Sequence, residues 1–274
     1  MSNIFCPGYL GIARVGGTIF RCTDCNINMQ QEALFYDHVI GLRDTIPTTS
    51  QTKGETDVVN LQKTIWRPST KIVGGSLAFP ATENNIGSFF EFAKRGRSFN
   101  LTFQYHTGEG REFESCKVSS WSLSCTAGDI CNVSVEVMGV GLEDSTVGLY
   151  TNAEKLITWD KVDLTPAISS HPIQAFNINI NNPLIPIYTS TSNSEKDLWP
   201  LEIRVGMQEV SGTISFWGRV DDYYDIQGPY TMTLTILGFS TPITVLFQPV
   251  QPQGSVNPII TTIPFVGIDR PFGS

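Results

Sequence analysis

Apolar residues recur along this chain in short alternating runs rather than in helical stripes. Ile178–Ile180, Ile214–Phe216 and Leu234–Ile236 each alternate with polar neighbours, the period of a strand with one buried face. Runs rich in Val, Ile, Phe and Thr sit between turn residues throughout. Sixteen prolines and twenty-four glycines work against long helices. The pattern predicts a mainly β protein, with strands over Phe20–Met29, Ile72–Phe79, Phe99–Tyr105, Arg111–Leu123 and Ile130–Gly141. A second series follows between Ile173 and Ile268. Glu83–Arg95 breaks the pattern: Ile86, Phe89, Phe90 and Ala93 fall at helical spacing, Lys94 and Arg95 sit late, and Gly96 follows as a stop.

The strand-like pieces repeat. CNINM at Cys25–Met29 returns as FNINI at Phe176–Ile180, and GSLAF at Gly75–Phe79 as GTISF at Gly212–Phe216. SFNLTF at Ser98–Phe103 returns as TMTLTI at Thr231–Ile236, and VEVMGVG at Val135–Gly141 as TTIPFVG at Thr261–Gly267. Four pieces recurring in one order read as one domain written twice, residues 1–150 and 151–274, joined through Glu143–Pro172. The offset falls from Asn28/Asn179 to Gly75/Gly212, Leu101/Leu234 and Gly141/Gly267, so strands are kept while connections shorten. The largest step falls at Thr45–Lys63, a polar stretch with almost nothing to bury, which reads as an extended loop or arm. Its counterpart, Thr189–Asp197, is shorter, as is the second expected helix, Arg219–Ile226.

No apolar run approaches the ~20 residues of a membrane span. The start, MSNIFCPGYLG, lacks a basic segment followed by an apolar one, so synthesis in a cytosol without a signal peptide is expected. The net charge of −8, spread over both halves without clustered Lys and Arg, argues against tight nucleic-acid binding.

Candidate chemistry is sparse. All six cysteines, Cys6, Cys22, Cys25, Cys116, Cys125 and Cys131, lie in the first half. A reducing cytosol keeps them as thiols; an oxidising medium opens them to disulfide pairing. Cys22 and Cys25 have the C-x-x-C spacing of redox and zinc sites, but on a predicted strand their side chains point to opposite faces, and no second ligand pair is evident. His38, His106 and His171 stand in unrelated contexts. His106 with Glu109 reads as a solvated hairpin turn. Asp221, Asp222 and Asp225 lack the spacing of a calcium loop. The sequons at Asn100 and Asn132 lie inside strands. No catalytic residue, cofactor site or metal site is assigned.

With the repeats placed, the order of features resembles the bacteriophage tail tube proteins. That order is strand, long polar arm, strand (GGSLAF), amphipathic helix (Glu83–Arg95), strand (SFNLTF), hairpin and a closing strand ending in VMGVG. Such proteins are similar to the haemolysin-coregulated tube protein of type VI secretion. The resemblance covers both copies. It implies two tandem tail-tube-like β-barrel or β-sandwich domains, each with one short helix. It also implies six-fold rings whose strands join into one barrel and stack into a tube. The arm, with Thr48, Thr49, Gln51, Lys53, Glu55 and Asp57, would contact the adjacent ring. The chain itself is then its main partner, with sheath, tape measure and baseplate proteins as further ones. DNA would pass through an acidic conduit without specific binding. The location implied is the virion tail, after assembly in host cytoplasm. Shorter tube proteins lack the duplication, which predicts three chains per ring. The alternatives are a tail hub or distal tail protein at the tube tip, a β-sandwich receptor- or carbohydrate-binding module, and, third, an enzyme. A binding module calls for clustered exposed aromatics, whereas Trp66, Trp121, Trp159, Trp199 and Trp217 are scattered through strands and strand entries, where core packing is expected.

Overall fold

The computed structural model describes residues 11–39, 62–106, 109–147, 155–165, 172–189, 198–217, 227–236, 239–249 and 260–268. The first half holds β1 (Ile12–Val15), β2 (Thr18–Arg21), β3 (Asp24–Val39), β4 (Gln62–Pro80), α1 (Ile86–Arg95), β5 (Phe99–His106), β6 (Glu109–Thr126), β7 (Asn132–Gly139) and β8 (Gly141–Asp144). The second holds a short 3-10 turn (Trp159–Lys161), β9 (Val162–Thr165), β10 (Ile173–Asn181), β11 (Leu184–Ile187), β12 (Glu202–Val205), β13 (Glu209–Trp217), β14 (Gln227–Ile236), β15 (Phe239–Phe247) and β16 (Ile260–Gly267). The mainly β expectation holds. Among the described residues the strand path stays open rather than closing on itself.

Neighbour order is the same in the two series. The first runs β3-β4-β7-β6-β5-β1, the second β10-β13-β16-β15-β14-β9. Registers match too. Asn26 faces Ser76 as Asn177 faces Thr213, and Gly75 faces Val137 as Gly212 faces Phe265. The repeated glycines have one physical cause: a Cβ at Gly75 would collide with the Asn26 carbonyl, and one at Gly212 with the Asn177 carbonyl. Followed through these registers, Gly139 takes the place of Gly267. The sequence match of Gly141 with Gly267 is therefore two residues out. A two-residue slip leaves every side chain on its own face, so alternation does not detect it.

β6 joins everything. It bends near Ser115, whose φ is 48°, and carries a bulge between Val118 and Ser120. Its first part pairs with β5 and β8. Its second part has β7 on one side and β10 on the other, so one sheet runs unbroken through both halves.

α1 buries the predicted stripe, Ile86, Phe89, Phe90 and Ala93, and ends at Gly96 in the left-handed region. Glu83 precedes the helix, whose first turn holds no acidic residue. The lead-in is held reciprocally: Thr82 N–H donates to Asn85 Oδ1 at 2.8 Å, and Asn85 N–H to Thr82 Oγ1 at 3.2 Å. Phe90 meets Trp121 edge-on at 5.1 Å, and Phe89 packs among Phe20, Phe79 and Phe99.

Three expectations change. The strand expected over Phe20–Met29 breaks at Cys22–Thr23, where Cys22 N–H turns to the Gly11 carbonyl and Thr23 N–H to that of Ala78. The connection Glu143–Pro172 contains β9, which pairs with β14. Gln62 and Lys63, counted in the arm, already belong to β4. Residues 45–61 and 219–226 lie outside the described residues. Among those described, no helix is long and apolar enough to cross a membrane.

Candidate assembly edges and the polar face

Where β10 meets β6, Phe176 faces Cys125, Ile178 faces Leu123, and Ile180 faces Trp121. These side chains are buried; Ile180 is 1% exposed. The equivalent positions of β3 are Cys25, Ile27 and Met29. Among the described residues β3 has β4 on one side and no strand on the other. Along it Cys25 is half-buried and Ile27 buried, whereas Met29 is 44% exposed. Register and apolar character are the same at Met29 and Ile180. What differs is the missing neighbour, so β3 presents an open, partly apolar edge.

α1 covers one side of this sheet. The opposite face of the central strands is built from hydroxyls and amides, among them Asn26, Ser76, Ser122, Ser134, Asn177 and Thr213, all at least partly exposed. Asn28 donates to Asn26 Oδ1 at 2.8 Å, and Ser215 and Thr262 share a hydrogen bond of 2.8 Å. An open depression of about 300 Å³ on this face includes Asn26, Ser76 and Glu136. Charge is thin here. Asp24, Lys117, Glu136 and Glu209 share its phase, and Glu112 and Glu114 flank buried Phe113 in the first part of β6.

The two ribbons between first and second strands behave differently. β3 and β4 continue past the sheet as a two-stranded ribbon out to the pair Val39 and Gln62, with one bulge near Gln31. It leads into the arm, whose candidate contact residues Thr48, Thr49, Gln51, Lys53, Glu55 and Asp57 lie outside the described residues. In the second half the chain turns at Asn182–Pro183, and β11 with β12 forms a separate pair. Asn182, fully buried, donates through Nδ2 to the Ala93 carbonyl at 2.8 Å and the Val118 carbonyl at 3.1 Å. Gln208 Nε2 donates to the same Ala93 carbonyl at 2.8 Å and to Asn182 Oδ1 at 2.7 Å. Two side chains of the second half thus satisfy a carbonyl in the last turn of α1. Lys71 Nζ stands 5.9 Å from the Trp199 ring centre. This latch was missed in the sequence, where its trace is an Asn-Pro pair directly after the repeated FNINI.

The remaining candidates are dispersed. Cys6, His171, Asp221, Asp222 and Asp225 lie outside the described residues. Cys22 is buried between β2 and β3, and Cys25 is half-buried on β3. Burial pushes the Cys116 thiol up to about 12. Cys125 and Cys131 are free thiols in mutual contact; a hydrogen bond from Cys131 holds Cys125 below the ordinary thiol range and raises Cys131. His38 lies in β3, and His106 ends β5 opposite Glu109 in β6. Among the described residues, no group of three or more His, Cys, Asp and Glu is placed to hold a metal ion. Trp121 is buried and Trp159 and Trp199 are half-buried, but Trp217 is 48% exposed; its place in β13 puts it in phase with the polar face.

Compared with known families, residues 11–267 match the family model described as phage tail tube protein. A search of curated proteins found no match.

Proposed function

We propose a wall-building role for this chain, which belongs to the phage tail tube protein family and is a structural component of the virion tail. It carries two tube domains, residues 1–150 and 151–274, and three chains close a ring of six such domains. The observation that carries this reading is the contrast between Met29, 44% exposed, and Ile180, 1% exposed, at equivalent registers. β6 covers the β10 edge within the chain, so a strand from a second copy covers the β3 edge between chains. The contact is heterologous and closes by rotation.

The covering strand follows from the matched order. β15 stands where β6 stands, and Val118 corresponds to Phe247 through their partners Val137 and Phe265. The residues after Phe247 therefore take the role of the β6 segment against β10. That stretch contains Pro249 and Pro252, which donate no backbone hydrogen bond. The junction between chains is consequently the weaker of the two.

The hydroxyl and amide face lines the conduit. Neutral groups with few Lys or Arg give phosphate little to hold, which suits DNA that must move. The role is structural rather than catalytic, and the arm beyond β3 and β4 reaches the next ring in the stack. Electron microscopy of the purified protein tests the tube, and native mass spectrometry of a single ring tests the count. Hollow tubes and three chains are expected. Six chains per ring would overturn the three-chain closure while leaving the tube intact; globular particles alone would overturn the wall-building role.

A further inference from the structure

We infer that Cys125 and Cys131 are an oxidisable pair whose disulfide staples the β6–β7 hairpin beside the junction of the two halves. The last paired residues of that hairpin are Ser124 and Asn132, and one step further in the same register the two cysteines stand opposite each other. Cys131 N–H donates to the Ile157 carbonyl at 2.9 Å, and the Cys131 carbonyl accepts from Ala81 N–H at 2.8 Å. Both of its backbone groups thus turn away from β6. That makes the pair a non-hydrogen-bonded one, in which facing Cα atoms come to about 4.5 Å, inside the roughly 4.4–6.8 Å that a disulfide spans. The two thiols are already hydrogen-bonded to each other. By contrast, the Cys116 thiol donates to the Phe113 carbonyl at 3.4 Å.

Both sulfurs are buried, but the loop above them, Thr126–Ile130, is exposed along its whole length, and its opening admits a small oxidant. The hydrogen bond from Cys131 favours the Cys125 thiolate, so Cys125 attacks first. With a low-molecular-weight disulfide such as oxidised glutathione, the Cys125 thiolate bonds to one sulfur and expels the other as a thiolate. Cys131 then loses its proton and attacks the Cys125 sulfur of the mixed disulfide, expelling the second glutathione thiolate. The protein loses two electrons and two protons; the glutathione disulfide gains both and leaves as two thiols. A protein built in a reducing cytosol would acquire the bridge only after release into oxidising surroundings. Cys125 pairs with Phe176, and Ala127 N–H bonds to the Gln174 carbonyl at 2.8 Å, so the bridge lies at the strand on which the second half hangs.

The test is incubation of the full-length protein with oxidised glutathione, then alkylation in denaturant and peptide mapping. Two of the six thiols are expected to escape alkylation, both in the peptide spanning Cys125 and Cys131, and to return on reduction. In Cys131→Ser, a glutathione adduct is expected at Cys125. Alkylation of all six thiols after oxidation, or a bridge between any other cysteines, overturns the pair, and this arm needs only the wild-type protein. An adduct on a different cysteine in Cys131→Ser overturns Cys125 as the attacking thiol.

Discussion

The two ribbons show what the halves of this chain have in common and where they part. In both, the first repeated strand leads into a two-stranded ribbon that returns as the second. In the first half the ribbon continues the β3–β4 pairing out to Val39 and Gln62, with a single bulge. In the second half it breaks away at Asn182–Pro183 and is held down on α1 through Asn182 and Gln208. The second ribbon is tied to its own chain by side-chain hydrogen bonds, the first by strand pairing. One strand order thus carries a continuing ribbon in the first half and a ribbon held on α1 in the second. The edges repeat the division, since β10 is covered by β6 while β3 has no second strand beside it among the described residues.

The largest expected effect is on assembly. Deleting Thr48–Asp57 removes a polar stretch whose composition cannot offset its ordering entropy alone. The product should be soluble and folded, with an unchanged melting temperature, and should form no tubes under the electron microscope. Tubes of wild-type length would remove the distinction between a continuing and a latched ribbon.

Within the monomer, Trp121→Ala should be the most damaging change. The side chain is fully buried, stacks edge-on with Phe90 and faces Ile180 across the junction. Its loss should lower stability by roughly 3–5 kcal/mol in urea unfolding. A cost under about 1 kcal/mol would mean that the halves are not held through this strand pair.

Asn182→Ala comes next. It strips the buried donors from the Ala93 and Val118 carbonyls, although Ala93 keeps its bond from Gln208. The expected cost is about 1–3 kcal/mol, and amide exchange should rise in β11 and β12 before it rises in β3 and β4.

Met29→Ala should separate the two edges most clearly. As a half-exposed position it should cost the monomer under about 1 kcal/mol, yet weaken tube formation as judged by sedimentation. On the proposed contact between copies, rings should also release folded chains at a lower urea concentration than the chains unfold. The smallest effect is expected for Lys71→Ala, about 0.5–1 kcal/mol from the contact with Trp199.

Much of this was written locally. Phe89, Phe90 and Ala93 announced the helix by spacing alone, and Gly96 its end, because both depend on backbone and side-chain geometry within a few turns. FNINI and CNINM marked equivalent strands for the same reason: period-two alternation decides which face each residue takes. The polar composition of Thr45–Lys63 and the lack of clustered Lys and Arg are also properties of the sequence itself.

Tertiary structure decided everything that depends on a distant neighbour. The two-residue correction that sets Gly139 against Gly267 is invisible to alternation, since a slip of two preserves the face and only cross-strand hydrogen bonds select the register. Whether Ile180 or Met29 is buried depends on β6 standing beside one strand and not the other, although the two strands read almost alike. The Asn182 latch and the facing of Cys125 with Cys131 arise only once the hairpin register and the position of α1 are set. Periodicity is local, while pairing free energy belongs to partners far apart in the chain; that is why the sequence by itself determined the strands and their faces, and the fold alone determined their neighbours.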